Sequence, residues 1–201
     1  AESGFPDVFN VAEELLLITI QDYATKRIIT FGSRPYVKNP QRKNHIYIDC
    51  HSEEGLITRF VDWWTKNTPE VITGWNCEMY DIPYLMGRIE RIMGEKYAKR
   101  MSPWGICRRN EITIHGRPNI VYDIAGISVI DYLDLYKKSP ATPNQESFKL
   151  DHIAMMELGQ KKLDHSEYDT FRDFYTKNWQ KFVDYNIVDV ELVDRLEDKL
   201  K

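Results

Sequence analysis

The chain has 201 residues, 42% apolar and 29% charged, which is globular composition and excludes a disordered or fibrous chain. At roughly 100–200 residues per domain it is expected to be one domain or a large piece of one, with enough length to bury a core without metal or disulfide staples. Lys plus Arg number 27 against 31 Asp plus Glu, a net charge of −4, which argues against a protein that coats nucleic acid non-specifically.

The first ten residues carry Gly4 and Pro6 and read as a loop. Glu14 to Asp22 is a β-rich apolar run; a turn at Ala24-Thr25-Lys26 and a second strand from Arg27 to Phe31 make it a hairpin. A basic loop with Pro35 and Pro40 leads to a third strand, His45 to Cys50. Ser52 then opens a helix as its cap, with Glu53 and Glu54 in the first turn and Leu56, Phe60, Trp63 and Trp64 at helical spacing. Asn67-Thr68-Pro69 ends it, and a short strand follows from Val71 to Trp75. Asp81 to Ile92 reads as a helix, with Pro83 tolerated in the first turn. Asn110 to Asp123 alternates on both sides of His115-Gly116-Arg117-Pro118-Asn119, a β-hairpin with a longer loop. A strand from Ile127 to Leu133 and a loop from Ser139 to Gln145 precede a helical remainder, broken near Gly159 and Asp164 and closing with a helix from Asn178 to Leu200. This is α/β: a mixed sheet flanked by helices.

No apolar run approaches the ~18 residues of a membrane span, and no secretion signal opens the chain. Cys50, Cys77 and Cys107 form no CxxC pair, so unpaired thiols in a reducing compartment are expected. No phosphate-cradling glycine motif occurs, and the histidines lack zinc spacing. Arg88, Arg91, Lys96, Lys99, Arg100, Arg108 and Arg109 form a basic stripe, and Asp184, Asp189, Glu191, Asp194, Glu197 and Asp198 an acidic cluster. Such a pair suits an enzyme holding a phosphate backbone and divalent cations; two solvated helix faces are the plainer alternative.

In the last helix, Phe182, Tyr185, Asp189, Leu192 and Leu196 share one stripe. An aspartate amid apolar residues is costly unless a metal, an arginine or another cation neutralises it. Tyr185 lies one turn earlier, so hydroxyl and carboxylate can face one spot. In Gly74-Trp75-Asn76-Cys77-Glu78-Met79-Tyr80-Asp81-Ile82-Pro83-Tyr84 a strand runs into a helix start bearing Asp81, either a helix cap or a ligand at a strand end. Paired carboxylates from the two segments would suit Mg²⁺ or Mn²⁺.

These residues carry a resemblance. The Gly74–Tyr84 segment resembles the Exo II motif of DEDDy 3′–5′ exonucleases, and Tyr185-Asn186-Ile187-Val188-Asp189 resembles their Exo III motif. The segments Gly126–Lys138 and Gly94–Pro103 are similar to the matching stretches of family B DNA polymerases of T-even-like myoviruses. The resemblance covers nearly the whole chain. It implies a single proofreading exonuclease domain over residues 1–201, RNase H-like in fold, with a hairpin inserted at about 110–123. The family's Exo I motif, Asp-x-Glu on a first strand, precedes Gly-Phe-Pro; Gly4-Phe5-Pro6 is present without it, and neither Glu2 nor Glu13-Glu14 replaces it. The chain is therefore expected to begin just downstream of Exo I, lacking that strand, and an unpaired edge there would invite pairing with a second copy.

Further expectations follow from the resemblance: two-metal hydrolysis of the terminal phosphodiester with Mg²⁺ or Mn²⁺ at Asp81 and Asp189, and orientation of water or phosphate by Tyr185. Asn76 would bond near the metal or terminal nucleotide, and Phe5 would wedge between the last two bases. The hairpin, with Glu111, His115, Gly116, Arg117 and Asp123, would help move the primer end between sites. The implied partners are a single-stranded DNA 3′ end and the polymerase domains of a parent chain, in the cytoplasm of an infected bacterial host. The alternative is an inactive fragment that at most binds single-stranded DNA. A free-standing RNA exonuclease fits the hairpin and the 131–138 segment poorly, and a pure interaction module leaves Asp189 unexplained.

Overall fold

The computed structural model describes residues 6–139 and 145–200. In chain order the elements are β1 (Leu17–Gln21), β2 (Ile28–Gly32), β3 (His45–Asp49), α1 (Glu53–Lys66), β4 (Val71–Gly74), α2 (Asp81–Met93) and α3 (Glu95–Ala98). After a 3-10 turn at Lys99–Met101 come β5 (Cys107–Ile114), β6 (Arg117–Ile124), β7 (Ser128–Asp131), α4 (Tyr132–Lys138), α5 (Leu150–Leu158), α6 (Phe171–Lys177) and α7 (Trp179–Leu200). This is the mixed α/β architecture of an RNase H-like domain, and the chain divides into two compact units, described separately below.

The unit formed mainly by Leu16–Ser52 and Pro143–Lys201 holds a three-stranded mixed sheet, order β1-β2-β3. β1 and β2 form the expected antiparallel hairpin, Leu17 opposite Gly32, and β3 runs parallel to β2 with Ile28 opposite His45. β1 is shorter than the apolar run suggests, starting at Leu17 rather than Glu14. On this sheet Ile28 packs with Val183 and Ile187 of α7, and Leu17, Tyr36, Tyr47 and Trp179 border the cluster. Burying such side chains contributes about 1.5–3 kcal/mol each.

The acidic cluster of α7 is a fastening in this unit. Asp184 accepts a hydrogen bond from the Tyr36 hydroxyl at 2.9 Å, and Glu191 pairs with Arg42 at 2.5 Å. Asp194 receives Gln21 Nε2 at 3.1 Å and Lys26 Nζ at 2.5 Å. Gln180 accepts from the Val37 N–H at 3.1 Å and donates to its carbonyl at 2.6 Å. The basic loop and the first hairpin are therefore strapped to the helix by side chains of its acidic cluster and by Gln180, a face that the sequence left open between cation binding and plain solvation.

The other unit comprises mainly Ser3–Leu15 and Glu53–Thr142. β4 pairs in parallel with β7, Gly74 opposite Asp131, and β5 pairs with β6. Among the described residues the hydrogen-bonded ladders are β1-β2-β3, which is the mixed sheet, β4-β7 and β5-β6. β7 ends at Asp131, two residues before the expected Leu133, because Asp131 caps α4. In α1, Leu56, Ile57, Phe60 and Val61 are buried, and Trp64 donates its indole N–H to the Met101 carbonyl at 2.8 Å.

Arg88 is not part of an exposed basic stripe. It is 3% exposed and holds Glu53 through both carboxylate oxygens, Nε at 2.7 Å from Oε1, while it donates to the Val11 carbonyl at 2.8 Å. Glu53 also accepts from the Leu15 N–H at 2.8 Å. A Cβ on Gly87 would lie 2.9 Å from Val11 Cγ1, so a glycine there lets the incoming segment sit against α2. Much of the remaining stripe is paired as well: Arg100 with Asp62 at 2.7 Å, Arg108 with Asp123 at 3.5 Å and Arg109 with Glu111 at 2.9 Å.

Candidate active site

In the unit that includes Glu53–Thr142, β4 delivers the chain into the Gly74–Tyr84 segment. A Cβ on Gly74 would lie 2.9 Å from Cys77 Cβ, so the turn closes over a residue without a side chain. Asn76 adopts a left-handed conformation, φ 62°, which asparagine tolerates better than most residues. The turn is held from across the parallel pair: Asp131 accepts from the backbone N–H of Asn76 and of Glu78, each at 3.0 Å, and from Leu133 N–H at 3.0 Å. Asp131 is 6% exposed, so these three bonds satisfy a buried carboxylate.

Asp81 is the first residue of α2 and is exposed. It is not the helix cap, which is Tyr80, and it sits where the helix dipole favours a carboxylate. Burial pushes the Cys77 thiol up to about 12. Burial, with Asp131 and Asp134 nearby, holds the Glu78 carboxyl above the usual carboxylate range. A cavity of about 210 Å³ lies beside this turn, lined among others by Glu78, Asn110, Tyr122 and Asp123.

The hairpin is longer and its turn tighter than the sequence suggests. It spans Cys107–Ile114 and Arg117–Ile124 around a two-residue turn, His115-Gly116, with φ 49° and 75°. Positive φ at both central residues matches the twist of the flanking strands. Arg117 and Pro118 lie in the strand, opposite Ile114 and Thr113. Proline fits because a two-stranded sheet has only edges. Glu111, His115, Gly116, Arg117 and Asp123 are all exposed.

The unit that includes Leu16–Ser52 and Pro143–Lys201 carries the other half of the candidate set. Tyr185 and Asp189 lie one turn apart on α7, and both face Lys162. Its Nζ is 2.8 Å from Asp189 Oδ2 and 3.4 Å from the Tyr185 hydroxyl. The flanking stripe is apolar as expected, with Phe182, Leu192 and Leu196 buried. Lys162 follows α5, which ends on Gly159 in the left-handed conformation, and its own N–H donates to Asp151 Oδ1 at 2.9 Å. Aromatic rings enclose Tyr185: His165 at 5.3 Å, Phe174 at 5.7 Å and Phe171 at 6.2 Å between centroids. Burial opposes the charge of Lys162, but Asp189 and Tyr185 outweigh it and hold the ammonium protonated. Asp189 Oδ1 is buried with no hydrogen-bond partner among the described residues.

The cation demanded by an aspartate in an apolar stripe is therefore a lysine of this chain. Among the described residues no group of three or more His, Cys, Asp or Glu side chains stands close enough to hold a metal ion. Mg²⁺ and Mn²⁺ need several oxygen ligands, so the donors gathered around Asp189 do not fit such an ion while Lys162 is in place. Asp81 and Asn76 belong to one unit, and Tyr185 and Asp189 to the other. Phe5 lies outside the described residues.

Sequence reasoning missed Asp131 and Lys162. An aspartate at a strand-to-helix junction was the signal for the first. The second had only the general need for a cation.

The family described as DNA polymerase family B, exonuclease domain, matches residues 1–153. The chain belongs to that family. It is 40% identical over 156 residues to the DNA-directed DNA polymerase of Escherichia phage RB69, covering 77% of this chain and 17% of that protein. It is 36% identical over 152 residues to the DNA-directed DNA polymerase of Enterobacteria phage T4, covering 76% and 17%. The DNA polymerase of Bombyx mori nuclear polyhedrosis virus is 28% identical over 153 residues, 75% and 15%. The chain thus spans about a sixth of the length of these relatives. No helix among the described residues is long and apolar enough to cross a membrane.

Proposed function

We propose that the chain is the 3′–5′ proofreading exonuclease domain of a phage-type family B DNA polymerase, acting as one domain on the 3′ end of a single DNA strand. Family membership and the match to two phage polymerases support this reading. The observation that carries it is the hydroxyl of Tyr185 and the carboxylate of Asp189 meeting at one cationic group. In this reading Asp189 and Asp81 are the carboxylates that would hold Mg²⁺ or Mn²⁺, and the ions would supply the charge for phosphodiester hydrolysis. Tyr185 orients the scissile region, and Asn76 and Phe5 hold the terminal nucleotides. The exposed hairpin guides the strand from the polymerase domains of the same enzyme, in the cytoplasm of an infected bacterium. Hydrolysis of this kind needs more oxygen ligands than the described residues bring together.

The Lys162–Asp189 ion pair favours a second reading, a chain that binds single-stranded DNA without cutting it. A primer–template with a mismatched 3′ end, compared with a fully paired one, separates the two. The exonuclease reading predicts faster loss of the frayed end in Mn²⁺ and none in EDTA. Binding to single strands with no shortening of either substrate supports the second reading and overturns the first.

A further inference from the structure

Trp104 is 71% exposed, whereas the other tryptophans are buried or half-buried. One exposed apolar side chain is ordinary on a protein surface. This indole differs in how firmly it is mounted and in what surrounds it. The buried Ser102 donates its hydroxyl to the Ala125 carbonyl at 2.7 Å and accepts from the Trp104 N–H at 3.1 Å. The Gly105 N–H closes a turn on the Ser102 carbonyl at 3.1 Å, and the Ala125 N–H bonds the Ile106 carbonyl at 3.0 Å. Gly126 backs the loop: a Cβ there would lie 3.6 Å from Trp104 Cδ2 and 2.6 Å from Pro103 Cγ. The ring is therefore seated against a residue without a side chain, and most of its surface is left to water.

The loop leaves the 3-10 turn at Lys99–Met101 and returns into β5 at Cys107, whose thiol reaches the Ala98 carbonyl at 3.8 Å. Its two stems are thus adjacent. They carry Lys96 and Lys99 on one side and Arg108 on the other. Lys99 pairs with Glu95 at 2.8 Å and Arg108 with Asp123 at 3.5 Å, every one of these side chains being at least 45% exposed. Such pairs hold weakly in water, so these cations can exchange a carboxylate for a phosphate. Within the loop the apolar surface beside the indole is Pro103 and Ile106, less than the buried core of a stable protein interface needs. A flat aromatic face flanked by exposed cations matches a single nucleic acid strand, whose bases stack and whose phosphates pair.

We propose that Trp104 is a stacking platform for a nucleobase of single-stranded DNA at the root of the β5–β6 hairpin, with Lys96, Lys99 and Arg108 taking the adjoining phosphates. The inference deepens the proposed function and rests on its reading of a single DNA strand as the ligand. Trp104 lies outside the residues assigned to hydrolysis. It sets how firmly a strand is held and leaves the chemistry at the 3′ end to other groups.

The test is binding of a fluorescein-labelled oligothymidylate to the 201-residue chain, followed by anisotropy in EDTA so that no cleavage interferes. Trp104→Ala should weaken binding about fivefold or more, the lower end of base–aromatic stacking. Trp104→Phe, which keeps a ring, should recover most of the loss. Replacing the thymines by abasic residues should weaken binding to the parent more than binding to Trp104→Ala. Lys96→Ala should lower the salt slope by about 0.7 and leave the effect of Trp104 in place. Circular dichroism establishes that each variant is folded; if Trp104→Ala is not, Trp104→Leu takes its place with the same expectation. Equal binding by the parent and Trp104→Ala, a loss that Trp104→Phe does not restore, or a parent that binds no single strand overturns the inference. A dimer of the parent that Trp104→Ala abolishes, with DNA affinity unchanged, overturns it in favour of a second copy as the occupant. Trp104-dependent binding by a chain that never shortens DNA upholds the inference while refuting the exonuclease reading. Asp189-dependent shortening by a chain whose DNA affinity ignores Trp104 does the reverse.

Discussion

The carboxylate of Asp131 receives the backbone N–H of Asn76 at 3.0 Å, joining the end of β7 to the turn that follows β4. The same carboxylate receives Glu78 N–H, so a left-handed asparagine is fixed by an acid 55 residues away. Asp131→Ala leaves two N–H groups of this turn and one of α4 without their acceptor. These hydrogen bonds are part-buried, so their loss should cost about 1 kcal/mol or more in sum, which urea unfolding measures. Amides of Asn76 and Glu78 should also exchange faster with deuterium. Unchanged exchange at both would show that Asp131 does not hold the turn.

Arg88 and Glu53 form the second buried attachment in that unit. Breaking such a pair from one side costs about 3–5 kcal/mol because the remaining charge stays buried. Either Arg88→Met or Glu53→Gln should lower stability by that order. The double variant should be less destabilised than the sum, which a double-mutant cycle in urea measures. Simple additivity would mean that the two side chains do not act on each other.

Cys77 gives a pH prediction. Its thiol is pushed from 9.0 up to about 12 by burial first, then by Asp131 and Asp81. The folded chain holds this proton more tightly than the unfolded chain. Unfolding therefore releases it, and the contribution of Cys77 to stability falls as pH rises from 9.0 toward 12. Cys77→Ala should flatten that part of the decline. In the native chain Cys77 should react with thiol reagents near pH 8 only through unfolding, since the thiolate is the nucleophile. Rapid labelling of Cys77 in the folded chain would contradict its burial.

The strapping of α7 to the hairpin sheet predicts a local effect. Arg42→Ala removes the partner of Glu191 at 2.5 Å and a weaker contact to Asp184 at 3.9 Å. Partly exposed pairs contribute about 0.2–1 kcal/mol, so the thermal midpoint should fall only slightly. Hydrogen exchange in residues 33–44 should rise more than in β2. Equal change across both would place the role of Arg42 in the core instead.

The legibility of the chain follows the range of the interactions. α7 and its apolar stripe are visible because Phe182, Leu192 and Leu196 recur at the helical period. The partners of its acids are not, since Tyr36, Arg42 and Lys26 lie in a different sequence region and are brought there by the fold. Read alone, Asp194 fits a cation-holding cluster and a solvated helix face equally well. The hairpin was legible as alternation, but Pro118 concealed its register because proline is rare inside strands. Tyr185 and Asp189 were legible as a pair, while the cation between them came from the connection after α5.

The most direct measurement follows a 5′-labelled single-stranded oligonucleotide with the parent chain, Tyr185→Phe and Asp189→Ala, in Mn²⁺, Mg²⁺ and EDTA. The parent chain should give a ladder shortening one nucleotide at a time from the 3′ end, dependent on divalent metal, abolished in Asp189→Ala and slowed about 10-fold or more in Tyr185→Phe. A full-length oligonucleotide after incubation with folded parent chain, or a ladder that Asp189→Ala produces equally well, would contradict the exonuclease reading.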